Sequence, residues 1–322
     1  MSAPSSPRPL RDPLVEHRPG PLVPLAPSVA RARASIEATL RDMLAVPDGK
    51  LEGPWRWRPN DQLDADIRYG LYRVHEILEE GVARIARGRS GMSAERTGPA
   101  VPRLAAVTTA RWELHGAVVG LRPEDLDADP GGGEWSVRQT LGHIVGVQRS
   151  YGWYSAWYLS RAGRPDAGQL PPDGTMPGEP DEMAEGQGTL GAVRTRLDGL
   201  VDAATERFAL LDAAALAVPA RWSSLPVTID FRLGRLASHI REHTIQVDKT
   251  LVMVGRTATE AERLARLAGS AYGRLEGTVF GRPAKDVERE FADGQSAASI
   301  LEATAAEAAT TASRVRKAAT SG

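Results

Sequence analysis

Residues 236–251 are LASHIREHTIQVDKTL, and this stretch decides both the fold class and the search for a functional site. Apolar residues recur there at helical spacing, which predicts an amphipathic helix with one buried face. The stripe consists of Leu233, Leu236, Ile240, Thr244, Val247, Leu251 and Val254. His239 and His243 lie one turn apart at the edge of this stripe and about 40° apart around the axis. We expect both rings to reach the interior, His243 more surely than His239, and the spacing allows both to bind one metal ion.

The same helical period extends along most of the chain, whereas runs that alternate at period two are nearly missing. The sequence therefore predicts an all-α protein. Helices are expected at residues 28–46, 61–87, 102–120, 136–161, 189–211, 228–254, 259–280 and 296–318.

The composition excludes several classes of protein. The 40 basic residues almost balance the 41 acidic ones, so no basic field for nucleic acid is expected. No stretch of about 18 uncharged apolar residues is present to span a membrane, and no signal peptide is evident at the N-terminus. These features predict a cytoplasmic protein that binds neither nucleic acid nor membrane. The absence of cysteine excludes thiolate ligands and a cysteine nucleophile.

Composition shifts along the chain predict four regions. Residues 1–27 are proline-rich and are expected to form a disordered or loosely wrapped arm. Residues 28–101 are expected to form a helical hairpin and a linker, residues 102–280 a metal-binding bundle, and residues 281–322 a helical extension. Within the bundle, residues 163–188 are rich in glycine and proline, and a loop of this length predicts a crossover that also covers a site as a mobile lid.

A transition metal that performs chemistry needs at least three protein ligands and an open position. His143 is the best candidate for the third ligand, because its helix is apolar around much of its circumference. Ser136 and Gln139 are spaced as a capping box, which predicts the start of that helix. A histidine buried there needs a specific partner, and coordination would supply one. His143 alone could instead be a core histidine bonded to a carbonyl.

The remaining histidines lack a histidine partner at ligand spacing. His75 and His115 are therefore expected to have structural or surface roles, and His17 lies in the arm.

Three residues are expected to contact a substrate or cofactor. Tyr151 and Tyr154 share the helix face of His143 and could wall a pocket, although core packing is the default explanation for them. Gln246 follows His243 by nearly one turn and could contact the substrate or support the ligands. Glu242 points away from the apolar stripe, which favours an exposed salt bridge.

These residues also carry a resemblance to a known family. Trp135, Ser136 and His143 at the start of one helix, followed by His239 and His243 on another, resemble the signature of the DinB/YfiT-like superfamily. The resemblance covers about residues 102–280. It implies an up-down-down-up four-helix bundle with a three-histidine metal site, here extended by the N-terminal hairpin and the C-terminal helices. It also implies kinship with thiol transferases that use mycothiol or bacillithiol, and with maleylpyruvate isomerase.

The chemistry of the residues agrees with this. Three neutral imidazoles leave the charge of a divalent ion nearly uncompensated, so an exogenous thiol or water would lose a proton near neutral pH. We expect zinc, although nickel, iron or manganese could occupy the same ligands. A thiol-dependent S-transferase acting on a small electrophile follows, with the thiol supplied only by the resemblance. A metal-dependent hydrolase, a non-catalytic bundle stabilised by metal, and assembly into a homodimer stay open.

Overall fold

The computed structural model describes residues 21–57, 65–90, 98–172, 175–176 and 181–321. The eight long helices are α1 Pro27–Leu44, α2 Ile67–Ser90, α3 Val101–Val118, α5 Val137–Ser160, α7 Leu190–Phe208, α9 Ile229–Met253, α10 Glu260–Gly277 and α12 Ala297–Thr320. Short helices lie between them: α4 Pro123–Asp127, α6 Glu182–Glu185, α8 Ala213–Leu216 and α11 Ala284–Val287. The strands are β1 Pro54–Trp55, β2 Ala65–Asp66, β3 Pro219–Trp222 and β4 Leu225–Thr228.

The all-α prediction is confirmed, since helices make up 68% of the structure and strands 5%. Each predicted long helix is present, with ends shifted by a few residues. The largest shift is at α2, which begins at Ile67 rather than 61; residues 58–64 lie outside the described ranges. None of the described helices combines the length and the apolar content needed to cross a membrane.

The sequence did not predict the two small antiparallel hairpins, β1–β2 and β3–β4. Strands β3 and β4 pair from Pro219 opposite Thr228 to Trp222 opposite Leu225, with a two-residue turn between them. Ser223 in that turn has a φ of 53°, which fits a tight hairpin connection. The strands are four residues each, and β4 is largely exposed whereas β3 has one buried and two half-buried residues, so the hairpin shows no regular apolar alternation. This hairpin lies beside the start of α9.

Buried apolar side chains form two separate cores. One core lies among α3, α5, α7 and α9, which we call the histidine bundle, and includes Val145, Leu197 and Ile240. The other lies among α1, α2, α10 and α12, which we call the flanking bundle, and includes Ile36 and Leu301. The N-terminal hairpin and the C-terminal helices thus build one core together.

Helix α10 differs from its expected grouping with residues 102–280, because its buried apolar residues, such as Leu264, lie in the core of the flanking bundle. Its opposite side approaches α3 closely. A Cβ on Gly273 would meet the Cβ of Trp112 at 2.9 Å, so only glycine permits this spacing. The four predicted region boundaries stay predictions. Residues 21–26 do not project from the fold, since Val23 is buried and its N–H donates to the carbonyl of Glu206 at 2.8 Å.

A charged cluster joins the two bundles; we call it the interbundle cluster, formed by Arg33, Arg111, Asp202 and Glu276. Arg111 and Glu276 are fully buried and form an ion pair. Arg33 donates from Nη2 to Glu276 at 2.9 Å and from Nη1 to Asp202 at 2.6 Å. Each buried charge therefore meets an opposite charge, as burial requires.

Candidate metal centre

Helix α5 begins as the sequence predicts. The Ser136 hydroxyl accepts from the Gln139 N–H at 3.2 Å, and the Gln139 side chain accepts from the Ser136 N–H at 2.8 Å. This reciprocal cap satisfies two amides of the first turn. His143 follows about one turn later, at the level where α5 packs against α9.

The structure brings His143, His239 and His243 together. Each ring offers one nitrogen, and the three nitrogens lie within 4.8 Å of one another. The Nε2 atoms of His143 and His239 are 3.2 Å apart. The helical spacing of the pair and the crossing of α5 over α9 produce this convergence between residues far apart in sequence.

Two neighbouring side chains lie beside the rings. A Glu182 carboxylate oxygen lies 2.9 Å from Nδ1 of His143, although this nitrogen makes no well-aligned hydrogen bond among the described residues. Gln246 Oε1 lies 2.7 Å from Nδ1 of His243 and favours the proton there, so Nε2 of His243 keeps a free lone pair.

Glu182 reaches His143 because α6 lies directly on α5. A Cβ on Gly142 would come within 2.1 Å of the Glu182 carbonyl oxygen, so the contact requires glycine at that position. The residue next to the histidine in sequence therefore sets the distance to its carboxylate partner.

Two of the three histidines, His239 and His243, favour the neutral form that a metal ligand needs. Burial, with the nearby His243, His143 and Arg235, lowers the pKa of His239 to about 3. Burial also lowers the pKa of His243.

Aromatic rings surround the three imidazoles. The Trp135 ring lies 4.9 Å from the ring of His143 and is stacked 6.4 Å from that of His243, between centroids. Tyr151 meets His239 edge-on at 5.6 Å. These rings contact the three imidazoles from two sides.

The histidines lie in the wall of a cleft with a volume of about 660 Å³, large enough for a small organic molecule. Tyr151 and Tyr154 from α5 line it, and Leu170 and Pro171 from the crossover loop lie at its rim. The cleft is also lined by Arg221 and Trp222 from β3 and by Arg232, Arg235 and Glu242 from α9.

A family model for the DinB superfamily matches residues 106–247, a range that contains all three histidines. The histidine bundle belongs to the DinB superfamily. Membership fits a helical fold of the metal-dependent enzyme type, and the histidine cluster could hold a metal. Comparisons with curated proteins and with solved structures found no match.

The geometry of the three histidines in the histidine bundle fits a divalent ion. Tetrahedral coordination at zinc–nitrogen distances of about 2.0–2.1 Å separates two ligand nitrogens by roughly 3.3 Å. The 3.2 Å between Nε2 of His143 and Nε2 of His239 is close to this value. Without a shared proton or cation, two lone pairs at that distance repel each other. Among the described residues, the group that could hold a metal has no fourth protein ligand.

The expected substrate contacts divide into two kinds. Tyr151 and Tyr154 line the cleft of the histidine bundle, where a substrate could reach them. Gln246 instead contacts the ring of His243. Glu242 forms the expected salt bridge, with Arg235 at 3.0 Å, while also lining the cleft.

The burial order of the paired histidines is the reverse of the expectation. His239 is only 4% exposed, whereas His243 is partly exposed. Periodicity placed His243 nearer the core, but Tyr151 covers His239, and this contact depends on how the helices pack.

Neither of the other described histidines joins the metal-ligand group. His115 is buried, with Nε2 3.1 Å from Asp198, and burial together with Arg194 lowers its pKa well below the usual value. His75 lies on α2 with Nε2 3.7 Å from Glu79. His17 is outside the described residues.

The crossover loop is described only in part, since residues 173–174 and 177–180 fall outside the described ranges. Its described parts lie at the site, with Leu170 lining the cleft and Glu182 against His143. That the loop acts as a mobile lid stays a prediction.

Sequence reasoning missed Glu182, Arg232 and Arg235 as site residues, as well as the role of the β3–β4 hairpin. The arginines could have been found, because Arg232 and Arg235 precede His239 by seven and four residues and so share its helix face. Glu182 gave no such signal, since its position depends on how the crossover folds back.

Proposed function

We propose that this protein is a divalent-metal-dependent enzyme, specifically a thiol-dependent S-transferase acting on small electrophiles. His143, His239 and His243 would hold the metal, with zinc as the ion we expect. A low-molecular-weight thiol such as mycothiol or bacillithiol would be the co-substrate. The proposal includes a cytoplasmic location, a small-molecule substrate and no nucleic-acid partner.

One observation carries the proposal: three imidazoles converge in the wall of an open cleft, with no fourth protein ligand in the group among the described residues. A structural metal site is normally closed by four protein ligands, whereas a catalytic site keeps one position open. The arrangement therefore favours an enzyme over a bundle that uses metal only for stability.

When bound, the divalent ion would lower the pKa of a thiol or water at its open position. The side chains around it have separate tasks. Gln246 would hold the ring of His243 in the orientation and tautomer needed for binding, and the Glu182 carboxylate lies beside the ring of His143. Tyr151 and Tyr154 line the cleft and would contact the apolar part of a substrate.

The thiol has a different kind of support from the metal. The chain has no cysteine, so sulfur chemistry requires an external thiol. The DinB resemblance supplies the class of thiol. Water in the same position would give a hydrolase instead.

A conjugation assay distinguishes these outcomes. Zinc-loaded protein is incubated with an epoxide or halogenated electrophile and a panel of thiols that includes mycothiol and bacillithiol. The proposal expects a conjugate that depends on metal and is lost in His239→Ala, while His75→Ala retains activity. Absence of a conjugate with any thiol, alongside metal-dependent ester or amide hydrolysis, would replace the transferase with a hydrolase.

A further inference from the structure

A second group of charges lines the cleft beyond the histidines. Arg232 is 4% exposed, and its guanidinium carbon lies 5.5–5.6 Å from the ring centroids of three tyrosines. These are Tyr151, Tyr154 and Tyr158. Their ring faces attract the cation but do not neutralise it.

The hydrogen bonds of Arg232 all go to neutral groups. Nε donates to the Ser155 hydroxyl at 3.3 Å, and Nη1 donates to the Arg221 carbonyl at 2.5 Å. Nη2 is buried with no hydrogen-bond partner among the described residues. Burial lowers the pKa of Arg232, the three tyrosines offset this only in part, and no carboxylate among the described residues pairs with it.

A buried cation without a counter-charge is costly, so such a group in a cleft wall indicates an anionic ligand. Neighbouring groups do not remove this need. Arg221 donates to the carbonyls of Gly168 and Ser224. Glu242, the acidic residue that lines the cleft, is already paired with Arg235.

The distance between the two ends of the cleft limits the ligand. Seven residues separate Arg232 from His239 on α9, which places them about 10 Å apart along the axis. Tyr151 lies between them, since its ring centroid is 5.6 Å from both the His239 ring and the Arg232 guanidinium carbon. The wall between the two ends is therefore largely aromatic.

We propose that Arg232 binds the carboxylate of a small organic substrate whose reactive group reaches the three histidines about 10 Å away. A guanidinium provides directed donors that suit a carboxylate. The carboxylate could belong to the electrophile or to the thiol co-substrate. The reactive end of this assignment rests on the proposed function, whereas the carboxylate end stands without a metal.

Calorimetric titration of metal-free full-length protein tests the carboxylate end alone. Octanoate and its neutral analogue octanamide have the same apolar chain and differ in charge. Octanoate should bind at least about tenfold more tightly, a difference of about 1.4 kcal/mol. Equal affinity for the two, or no saturable binding of octanoate, would overturn the proposal.

Variants locate the effect. Arg232→Gln should abolish the preference for octanoate, and Arg232→Lys should restore part of it. Arg241→Gln is the matched control, because Arg241 lies on the same helix, is exposed and pairs with Glu113. Retention of the preference in a folded Arg232→Gln protein would contradict the assignment. If that variant does not fold, the comparison of octanoate with octanamide on the unaltered chain still decides.

A further titration distinguishes the carboxylate site from the proposed metal function. Turnover assays then distinguish the two possible sources of the carboxylate. Mercaptooctanoate added to zinc-loaded protein should bind more tightly than octanoate, with the gain lost in His239→Ala. A carboxylate preference without any gain from the thiol would contradict the metal function and leave the Arg232 site intact. Turnover of carboxylate-bearing electrophiles with neutral thiols would assign the site to the electrophile, and the converse pairing to the thiol.

Discussion

The interbundle cluster and the cleft both bury an arginine, but in opposite electrostatic settings. Arg111 is fully buried against Glu276, and its Nη1 lies 2.9 Å from Asp202. Arg232 is almost as buried, yet among the described residues its hydrogen bonds go to a hydroxyl and a carbonyl. In the first arrangement the charge is paired within the chain, although Nε of Arg111 has no hydrogen-bond partner among the described residues. The second gains a counter-charge only when an anion binds, so the difference separates a structural charge from a binding charge.

The largest effect is expected at Glu276. Glu276→Gln removes the charge that Arg111 and Arg33 share, and should lower the free energy of unfolding by about 3–5 kcal/mol. Urea denaturation measures it. Glu302→Gln breaks the more exposed pair with Arg31 and should cost at most about 1 kcal/mol. Similar losses in the two variants would show that the interbundle cluster has no special structural role.

The pH dependence of stability should follow from the same carboxylate. Burial alone raises the pKa of Glu276, but Arg111 and Arg33 outweigh burial and hold it at about 2, below the ordinary 4.5. As pH falls, Glu276 is therefore protonated in the unfolded chain before it is protonated in the folded one. The stabilisation that its carboxylate provides is complete above about pH 4.5 and is lost as pH falls towards 2.

Unfolding titrations across this range compare the parent with Glu276→Gln. The gap between their free energies should narrow as pH falls from about 4.5. A difference in free energy of unfolding that stays constant across this range would contradict the lowered pKa of Glu276.

In the histidine bundle, Gln246→Leu should lower metal affinity about 10–100-fold, because the ring of His243 loses the acceptor that orients it. Competition with a chromophoric chelator measures the change. Gln187→Leu, at an exposed position on the crossover, should leave affinity unaltered. Equal affinities for all three proteins would remove Gln246 from the site.

The smallest effect on the free energy of unfolding is expected at Arg232. Arg232→Met should leave the free energy of unfolding unchanged or raise it by about 1 kcal/mol, since the buried cation lacks a carboxylate partner. Arg111→Met should instead lower the free energy of unfolding by about 3–5 kcal/mol, because Glu276 and Asp202 lose their partner. Thermal and urea unfolding of both variants test this. A large loss in Arg232→Met would mean that Arg232 is structural.

The sequence predicted what depends on helical period and local spacing. The long helices followed from apolar recurrence, the start of α5 from Ser136 and Gln139, and the meeting of His239 with His243 from one helical turn. That His143 joins them was also predicted, from an isolated polar residue on an apolar helix and from the family resemblance.

What the sequence did not predict depends on contacts between distant segments. The flanking bundle needs helices from both ends of the chain, and no local pattern indicates that they share a core. Glu182 reaches His143 only because Gly142 lets α6 lie against α5. The importance of Arg232 lies in the absence of a carboxylate beside it among the described residues, which only three-dimensional placement reveals.

The proposed function depends on the binding of one divalent ion by the three histidines, and metal stoichiometry measures this binding. Elemental analysis of protein purified without an affinity tag is compared with a variant carrying His143→Ala, His239→Ala and His243→Ala, with folding checked by circular dichroism. We expect about one divalent ion per chain in the parent and none in the folded variant. Equal metal content in the two proteins, or a parent that binds no divalent ion when one is supplied, would contradict it.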